Sequence, residues 1–190
     1  MNGHRWGVEG PPPEAYSRVT NSERFASLHD VAAESLDRLE LEFDAERSVG
    51  YGLDPELEES CKLARPSVIL TPRDVGAAPI AVIFSAFPGI RVRFGLWFMT
   101  AFPTCGCDAC DESAESETER LKSLIDNLTA GRFREAIRIP ADGAAWQESE
   151  FWSVGGRCAQ RSQLDRVRAQ QLVATRERSS YDWRPWPRKR

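Results

Sequence analysis

Three cysteines lie close together in the sequence, and this is the one place in the chain where reactive side chains are concentrated. Cys105, Cys107 and Cys110 occur in Pro-Thr-Cys-Gly-Cys-Asp-Ala-Cys-Asp, hereafter the cysteine loop (residues 103–111). Thiolates at this spacing can surround one metal ion, and Gly106 relaxes the backbone between the first two. The spacing therefore predicts a metal site at these three residues, and zinc is the ion expected there.

A tetrahedral zinc site needs about four ligands, so one ligand has to come from outside the triplet. The sequence offers two further cysteines, one histidine and two neighbouring carboxylates as candidates. They are Cys61, Cys158, His29, Asp108 and Asp111. The spacing singles out none of them, so the identity of the fourth ligand stays open.

The charges around the triplet also bear on its chemistry. Neighbouring carboxylates raise the pKa of a thiol and so disfavour a reactive free thiolate, whereas a bound cation reverses that penalty. The charge pattern thus favours metal binding over redox exchange. The acidic residues that precede the first basic residue, Arg120, are Asp108, Asp111, Glu112, Glu115, Glu117 and Glu119.

Two other interpretations of the triplet are left open by the sequence. In a thiol-dependent redox protein, Cys107 and Cys110 would form and break a disulfide while Cys105 resolves it. Alternatively, the three thiols stay reduced and inert in a tight, partly buried turn. Selective alkylation of one cysteine at neutral pH would favour the redox interpretation, because it indicates a lowered pKa.

The rest of the sequence offers no recognisable catalytic set. His4 and His29 are the only histidines, and His29 follows Phe25 at helical spacing on the edge of an apolar stripe. That position is typical of a boundary residue and not of a catalytic base. The signature sequences of nucleophile-elbow hydrolases, P-loops and dinucleotide-binding folds do not occur. We therefore expect a protein without enzymatic activity.

Composition is that of an ordinary globular protein. A chain of 190 residues with a net charge of −4 is long enough to bury a core and too acidic for a general nucleic-acid binder. The longest apolar run, residues 77–87, is shorter than the roughly 20 residues that span a bilayer. The first residues lack the apolar core of a secretory signal. We expect a cytoplasmic protein with no membrane association.

The C-terminal part of the chain is locally basic and contains Trp183 and Trp186. Tryptophans interleaved with basic residues can stack on single-stranded nucleic acid, so an accessory role in nucleic-acid binding is a further alternative. Burial of both indoles against a sheet is the favoured interpretation, because tryptophan buries a large apolar area. Nucleic acid is therefore not the expected partner, and a protein partner is compatible with the sequence.

Periodic apolar residues predict three helices and five strands. A capping box that begins at Thr20 predicts a helix over residues 22–47, and a second one predicts a helix from Ser116. A third helix is expected from about Ser162. Strands are expected at residues 67–70, 80–87, 91–97, 133–139 and 146–154.

The order of these elements predicts the fold class. Strands grouped in runs favour an α+β fold with an antiparallel sheet over a doubly wound parallel sheet. We expect a single domain at residues 19–180, with about five strands flanked by about three helices. A flexible N-terminal arm (residues 1–18) precedes it, and a C-terminal tail rich in Trp, Pro and Arg (residues 181–190) follows it.

In four of its segments the chain resembles a family of small actinobacterial proteins classed as a domain of unknown function. The resemblance covers nearly the whole chain after the arm, and Cys-Gly-Cys-Asp-Ala-Cys-Asp-Glu is its most specific part. It implies no activity but favours treating the three cysteines as one unit; Cys61 and Cys158 lie outside the matching segments. The segments are Tyr16-Ser17-Arg18-Val19-Thr20-Asn21, Glu23-Arg24-Phe25, Phe102-Pro103-Thr104-Cys105-Gly106-Cys107-Asp108-Ala109-Cys110-Asp111-Glu112 and Trp183-Arg184-Pro185-Trp186-Pro187.

Overall fold

The computed structural model describes residues 6–153, 156–176 and 178–190 of the chain. Within these ranges the chain forms two antiparallel sheets and four α-helices, which confirms the predicted α+β class. His4 and Val154, on which two of the sequence predictions fall, lie outside the described residues. None of the described helices combines the length and the apolar character that crossing a membrane requires.

The first sheet has five strands that follow one another along the chain and in space. Its central strand, Ile80–Ser85, is buried on both faces, which explains its nearly continuous apolar sequence. The strands are β1 (Ala45–Gly50), β2 (Ser67–Pro72), β3 (Ile80–Ser85), β4 (Gly89–Phe94) and β5 (Phe98–Phe102), in the order β1-β2-β3-β4-β5.

The second sheet has four strands and was not predicted as a separate sheet. Its last strand in sequence is short and is contributed by the beginning of the C-terminal tail. The strands are β6 (Phe133–Arg138), β7 (Ala145–Ser153), β8 (Gly156–Leu164) and β9 (Ser180–Asp182), in the order β8-β7-β6-β9.

Four helices accompany the sheets. The inward residues of the two long helices share one core with alternate residues of the first sheet. Phe133 and Phe151 of the second sheet join the same core and stack with ring centroids 4.2 Å apart. The helices are α1 (Ser27–Glu42), α2 (Pro55–Glu58), α3 (Ala114–Thr129) and α4 (Arg166–Ala174).

Two predicted helices have different boundaries in the structure. The first was predicted over residues 22–47, but α1 ends at Glu42 and the chain continues as the edge strand β1. The third was predicted to begin near Ser162, which instead belongs to β8; α4 begins at Arg166 with Asp165 as its capping residue. Both errors concern edge strands, whose exposed residues carry no strong apolar alternation.

The C-terminal tail packs into the protein, as the burial of its tryptophans shows. Trp183 and Trp186 are 6% and 3% exposed, and their indole N–H groups donate to Glu135 Oε1 and to the Ala78 carbonyl at 3.1 and 2.8 Å. The two indoles are therefore not available to stack on bases. The tail contacts the C-terminal end of α3, where the Trp186 N–H donates to the Thr129 carbonyl at 2.9 Å, whereas the cysteine loop leads into the N-terminal end of the same helix.

Candidate metal centre

The cysteine loop connects the edge strand β5 to the long helix α3. The loop turns tightly at Gly106, whose φ of +79° favours glycine, and again at Asp111, whose φ is +51°. Helix α3 then begins in a capping box, in which the Ser113 hydroxyl accepts the Ser116 N–H at 3.2 Å. The predicted start of this helix at Ser116 is thus two residues late, and the loop is fixed to secondary structure on both sides.

The structure brings the three predicted cysteines together. The Sγ atoms of Cys105, Cys107 and Cys110 all lie within 4.8 Å of one another. The Cys107 and Cys110 sulfurs are 3.4 Å apart. Four sulfurs around a zinc ion at about 2.3 Å would be separated by about 3.8 Å, so small side-chain rotations would place these three around one ion.

The three thiols differ in exposure, and the pKa values of two of them, Cys107 and Cys110, are shifted in opposite directions. Cys107 is buried, whereas Cys105 and Cys110 are exposed. Hydrogen bonds from the Cys105 and Cys110 thiols, aided by backbone N–H groups, lower the pKa of Cys107. The same contacts raise the pKa of Cys110 to about 12. Without a cation, these contacts therefore favour a thiolate at Cys107 over one at Cys110, and a bound metal ion would replace the proton of Cys110.

Glu112 holds the backbone of the loop in place. Its carboxylate accepts the N–H groups of Thr104, Cys105 and Gly106 at 3.2, 3.1 and 2.9 Å. Three convergent donors satisfy backbone groups that have no partner in a regular element. Sequence analysis treated Glu112 only as one of the acidic neighbours, whereas it directly shapes the stretch that contains the first two cysteines.

Asp108 points away from the thiols and into the protein. Its fully buried carboxylate accepts the Thr20 N–H and hydroxyl, each at 3.0 Å, and lies 3.1 Å from Arg18 Nε. The backbone N–H and hydroxyl of Thr20, together with the Arg18 guanidinium, lower the pKa of the Asp108 carboxyl. Asp108 is therefore not available as the fourth metal ligand. Thr20 likewise does not cap α1, whose capping residue is Ala26.

The N-terminal segment (residues 6–20) lies against the cysteine loop. Backbone bonds join Asp108 N–H to the Arg18 carbonyl at 2.8 Å and Ala109 N–H to the Ala15 carbonyl at 3.2 Å. The Trp6 indole donates to the Asp108 carbonyl at 3.3 Å. Ala15 is fully buried against Cys107 and Ala109. The loop thus holds, through both main chain and side chains, a segment whose regular structure is one short 3-10 helix, Pro13–Ser17.

A guanidinium also reaches the loop from the residues before α1. Arg24 Nη2 donates to the carbonyls of Gly106 and Cys107 at 3.2 and 3.4 Å. Its Nη1 is 4.0 Å from Asp108 Oδ1. The surroundings of the triplet are therefore less acidic than the contiguous sequence indicates, because Arg18 and Arg24 come from a distant part of the chain.

Three of the other candidate ligands, Cys61, Cys158 and His29, are outside the sulfur group. Cys61 packs beside Leu57 and Ile83, in a cluster separate from the cysteine loop. Cys158 is exposed on the edge strand β8 of the second sheet. His29 Nε2 is 2.7 Å from the Gly89 carbonyl, which engages one ring nitrogen. None of these three candidates belongs to the group of metal-binding atoms at the triplet, so the fourth ligand stays open.

Sequence analysis missed the partners of the loop, although a signal for them was present. Arg18, Thr20 and Arg24 fall in two of the four segments that carry the family resemblance, and the cysteine stretch is the third. These three segments contact one another in the structure through Asp108, Gly106 and their neighbours. The segments are thus parts of one structural unit.

Comparisons with known proteins agree with the predicted family membership and add no activity. Neither the curated proteins nor the solved structures gave a match to the chain. The model of a family of unknown function (DUF6226) matches residues 2–190, nearly the full length of the chain. The chain therefore belongs to the DUF6226 family, a family of unknown function.

Proposed function

We propose that this protein binds one zinc ion through Cys105, Cys107 and Cys110 and has no enzymatic activity of its own. The observation that supports the proposal is the convergence of three sulfur atoms within 4.8 Å of one another. Three thiolates form a soft donor set, which suits zinc better than magnesium or calcium. A reducing compartment such as the cytoplasm would keep the three thiols available for the ion.

The proposed role of the ion is to hold the cysteine loop in the shape that the N-terminal segment recognises. Asp108 lies between two of the ligands in sequence, and Arg18 and Thr20 bind its carboxylate. Metal binding would restrict the backbone between Cys107 and Cys110 and thereby fix the position of Asp108. The ion would in this way stabilise the contact between the loop and residues 6–20.

Recognition of a protein partner is the second part of the proposal. Tyr16 (61% exposed) and Val19 (46%) belong to the N-terminal segment, and Phe87 (40%) lies against Gly106 of the loop. Exposed aromatic and aliphatic side chains on an ordered surface are typical of interaction sites. A zinc-dependent surface at this end of the molecule would bind a partner only while the loop is ordered.

The metal content of the purified protein tests the proposal. We expect about one zinc per chain by mass spectrometry after untagged purification under reducing conditions. Of the five cysteines, Cys61 and Cys158 should react with a thiol reagent in the native protein, and the other three only after a chelator is added. A metal-free protein with five freely reacting thiols would refute the proposal.

Matched variants separate the triplet from the other cysteines. Cys107→Ser should abolish zinc retention, because it removes the ligand in the centre of the group. The double variant Cys61→Ser/Cys158→Ser should retain about one zinc per chain, because neither residue lies in the group. If the double variant lost its zinc while Cys107→Ser retained it, the metal would be bound at Cys61 or Cys158. That result would contradict the assignment of the site to the triplet.

A redox role is a second candidate, and the 3.4 Å separation of the Cys107 and Cys110 sulfurs favours it. In thiol–disulfide exchange the two thiols would become one disulfide while a disulfide of the oxidant is reduced to two thiols. A stable intramolecular disulfide formed in a glutathione buffer, in a protein that retains no zinc, would favour this candidate over metal binding.

A further inference from the structure

The sulfur triplet leaves a coordination position without a ligand from the chain. Among the described residues, the group of metal-binding atoms within 4.8 Å comprises three cysteines and no further thiol, imidazole or carboxylate. Two acidic side chains of this region are engaged with donors: Asp108 with Arg18 and Thr20, and Glu112 with the loop backbone. A site with three protein ligands is of the open kind, in which an external ligand completes the tetrahedron.

The open position faces solvent. Cys107 is buried against Ala15 and Ala109, and this side of the triplet is closed by the protein. Cys105 and Cys110, in contrast, are exposed to solvent. An ion held by these three sulfurs would therefore rest on the Cys107 side with its free position directed outward.

The surroundings of the open position favour a thiolate as the external ligand. Three thiolates make the ion soft, and soft centres bind a further sulfur in preference to a carboxylate. The Arg24 guanidinium at the Gly106 and Cys107 carbonyls offsets part of the added negative charge. Phe87, against which Gly106 is closely packed, provides an apolar rim for the carbon atoms of the ligand.

We infer that the metal-loaded site binds an exogenous thiol as its fourth ligand, and this inference rests on the metal site proposed above. The thiol could be a small molecule or a cysteine of another protein chain, since both present the same sulfur. The site would then exchange its fourth ligand with the surroundings and would not be a closed structural site.

Cobalt substitution tests the inference. The double variant Cys61→Ser/Cys158→Ser is loaded with Co²⁺ and titrated with 2-mercaptoethanol or glutathione while the thiolate-to-cobalt charge-transfer band is recorded. We expect a saturable increase of that band by about one-third, because a fourth cobalt–sulfur bond is added to three. Acetate, a carboxylate without sulfur, serves as the matched ligand and should not produce the increase.

The outcomes of the cobalt titration distinguish failure of the thiol inference from failure of the metal site. A charge-transfer band that does not respond to thiol, or that disappears because thiol removes the cobalt, would overturn the inference while leaving the metal site intact. Absence of the band before any thiol is added would instead refute the metal site itself. A band that grows with protein concentration in the wild type but not in the double variant would assign the thiol to a second copy of this chain.

Discussion

Two buried carboxylates anchor the two ends of the chain, and they do so by different means. Asp108, in the cysteine loop, binds the N-terminal segment through Arg18 and Thr20. Glu135, on β6, accepts the Trp183 indole N–H and thereby binds the C-terminal tail. Both side chains are almost entirely inaccessible to solvent. The difference between them lies in the charge of their partners.

Asp108 has a cation beside it, whereas the hydrogen bonds of Glu135 come from neutral donors. Glu135 accepts the backbone N–H groups of Leu96, Trp97 and Phe98 at 2.7, 2.9 and 3.2 Å, in addition to the indole. Burial outweighs these bonds and raises the pKa of Glu135 to about 7. At Asp108 the Thr20 donors and the Arg18 guanidinium lower the pKa of the carboxyl.

The comparison indicates which anchor belongs to the core and which to the surface. Glu135 joins the second sheet, the start of β5 and the tail, so its loss should affect the whole fold. Asp108 joins a peripheral segment to a loop, so its loss should act locally. The four predictions that follow test this division, from the largest expected effect to the smallest.

Deletion of the C-terminal tail from residue 181 should abolish cooperative folding. Removing a buried tryptophan costs about 3–5 kcal/mol, and the deletion removes both Trp183 and Trp186, which is comparable to the stability of a typical domain. Thermal unfolding followed by circular dichroism measures the effect. A control that lacks only residues 189–190 should have a melting temperature close to that of the wild type. If the protein lacking residues 181–190 were as stable as the wild type, the proposed role of the tail would be refuted.

Glu135→Ala should lower the free energy of unfolding by about 3–5 kcal/mol, because four N–H donors, three of them buried, lose their acceptor. Urea unfolding provides the measurement. Glu148→Ala on the neighbouring strand β7 is the matched control, since its partially exposed carboxylate pairs with arginines at the surface. It should cost less than about 1 kcal/mol. Similar losses in the two variants would contradict the special position of Glu135.

The stability of the wild type should depend on pH through Glu135. The pKa of this group is raised in the folded state to about 7, whereas glutamate in an unfolded chain has a pKa of about 4.3. Between these values the folded state retains a proton that the unfolded state releases, so the free energy of unfolding falls by about 3 kcal/mol as pH rises. The stabilising contribution is fully present below about pH 4.3 and is lost as the pH rises through about 7.

Glu135→Gln isolates this contribution, because glutamine does not titrate. Urea unfolding between about pH 5 and pH 8 should show a decline in the wild type that is absent from the variant, after the shared titration of other groups is subtracted. Parallel pH profiles for the two proteins would show that Glu135 has an ordinary pKa in the folded state.

Asp108→Asn should release the N-terminal segment without unfolding the core. The variant loses a charge-assisted bond to Arg18, which should accelerate trypsin cleavage at Arg18 about tenfold. The melting temperature should hardly change. Asp126→Asn, at an exposed residue that faces Arg38 at 3.5 Å, is the control and should not alter cleavage. A large drop in melting temperature in Asp108→Asn would show that this anchor is part of the core.

The parts of the structure that follow from local patterns could be predicted. The cysteine cluster was predicted from its spacing alone, and β3 from its apolar run, because both depend on neighbours in sequence. The strand β8 was missed since nearly all of its residues are exposed and polar, so no period of two is visible. The bond between Thr20 and Asp108 spans 88 residues, and no local pattern indicates it.

The direction of a polar side chain was likewise beyond the sequence. Asp108 is adjacent to Cys107 in sequence, which made it a candidate ligand, but its carboxylate is fully buried against Arg18 and Thr20. From the sequence, Glu135 has the pattern of an ordinary polar residue on a strand. Only the packing of β6 against the start of β5 and the tail shows that its side chain is buried. In both cases tertiary packing decides the role.

X-ray absorption at the zinc edge tests the central claim most directly. The sample is the zinc-loaded Cys61→Ser/Cys158→Ser variant, in which Cys105, Cys107 and Cys110 are the only cysteines. A phosphine serves as the reductant, so that no added thiol is present. We predict three sulfur neighbours at about 2.3 Å and one nitrogen or oxygen neighbour at about 2.0 Å. A zinc ion with no sulfur neighbours, or with four in the absence of added thiol, would contradict an open site built on these three cysteines.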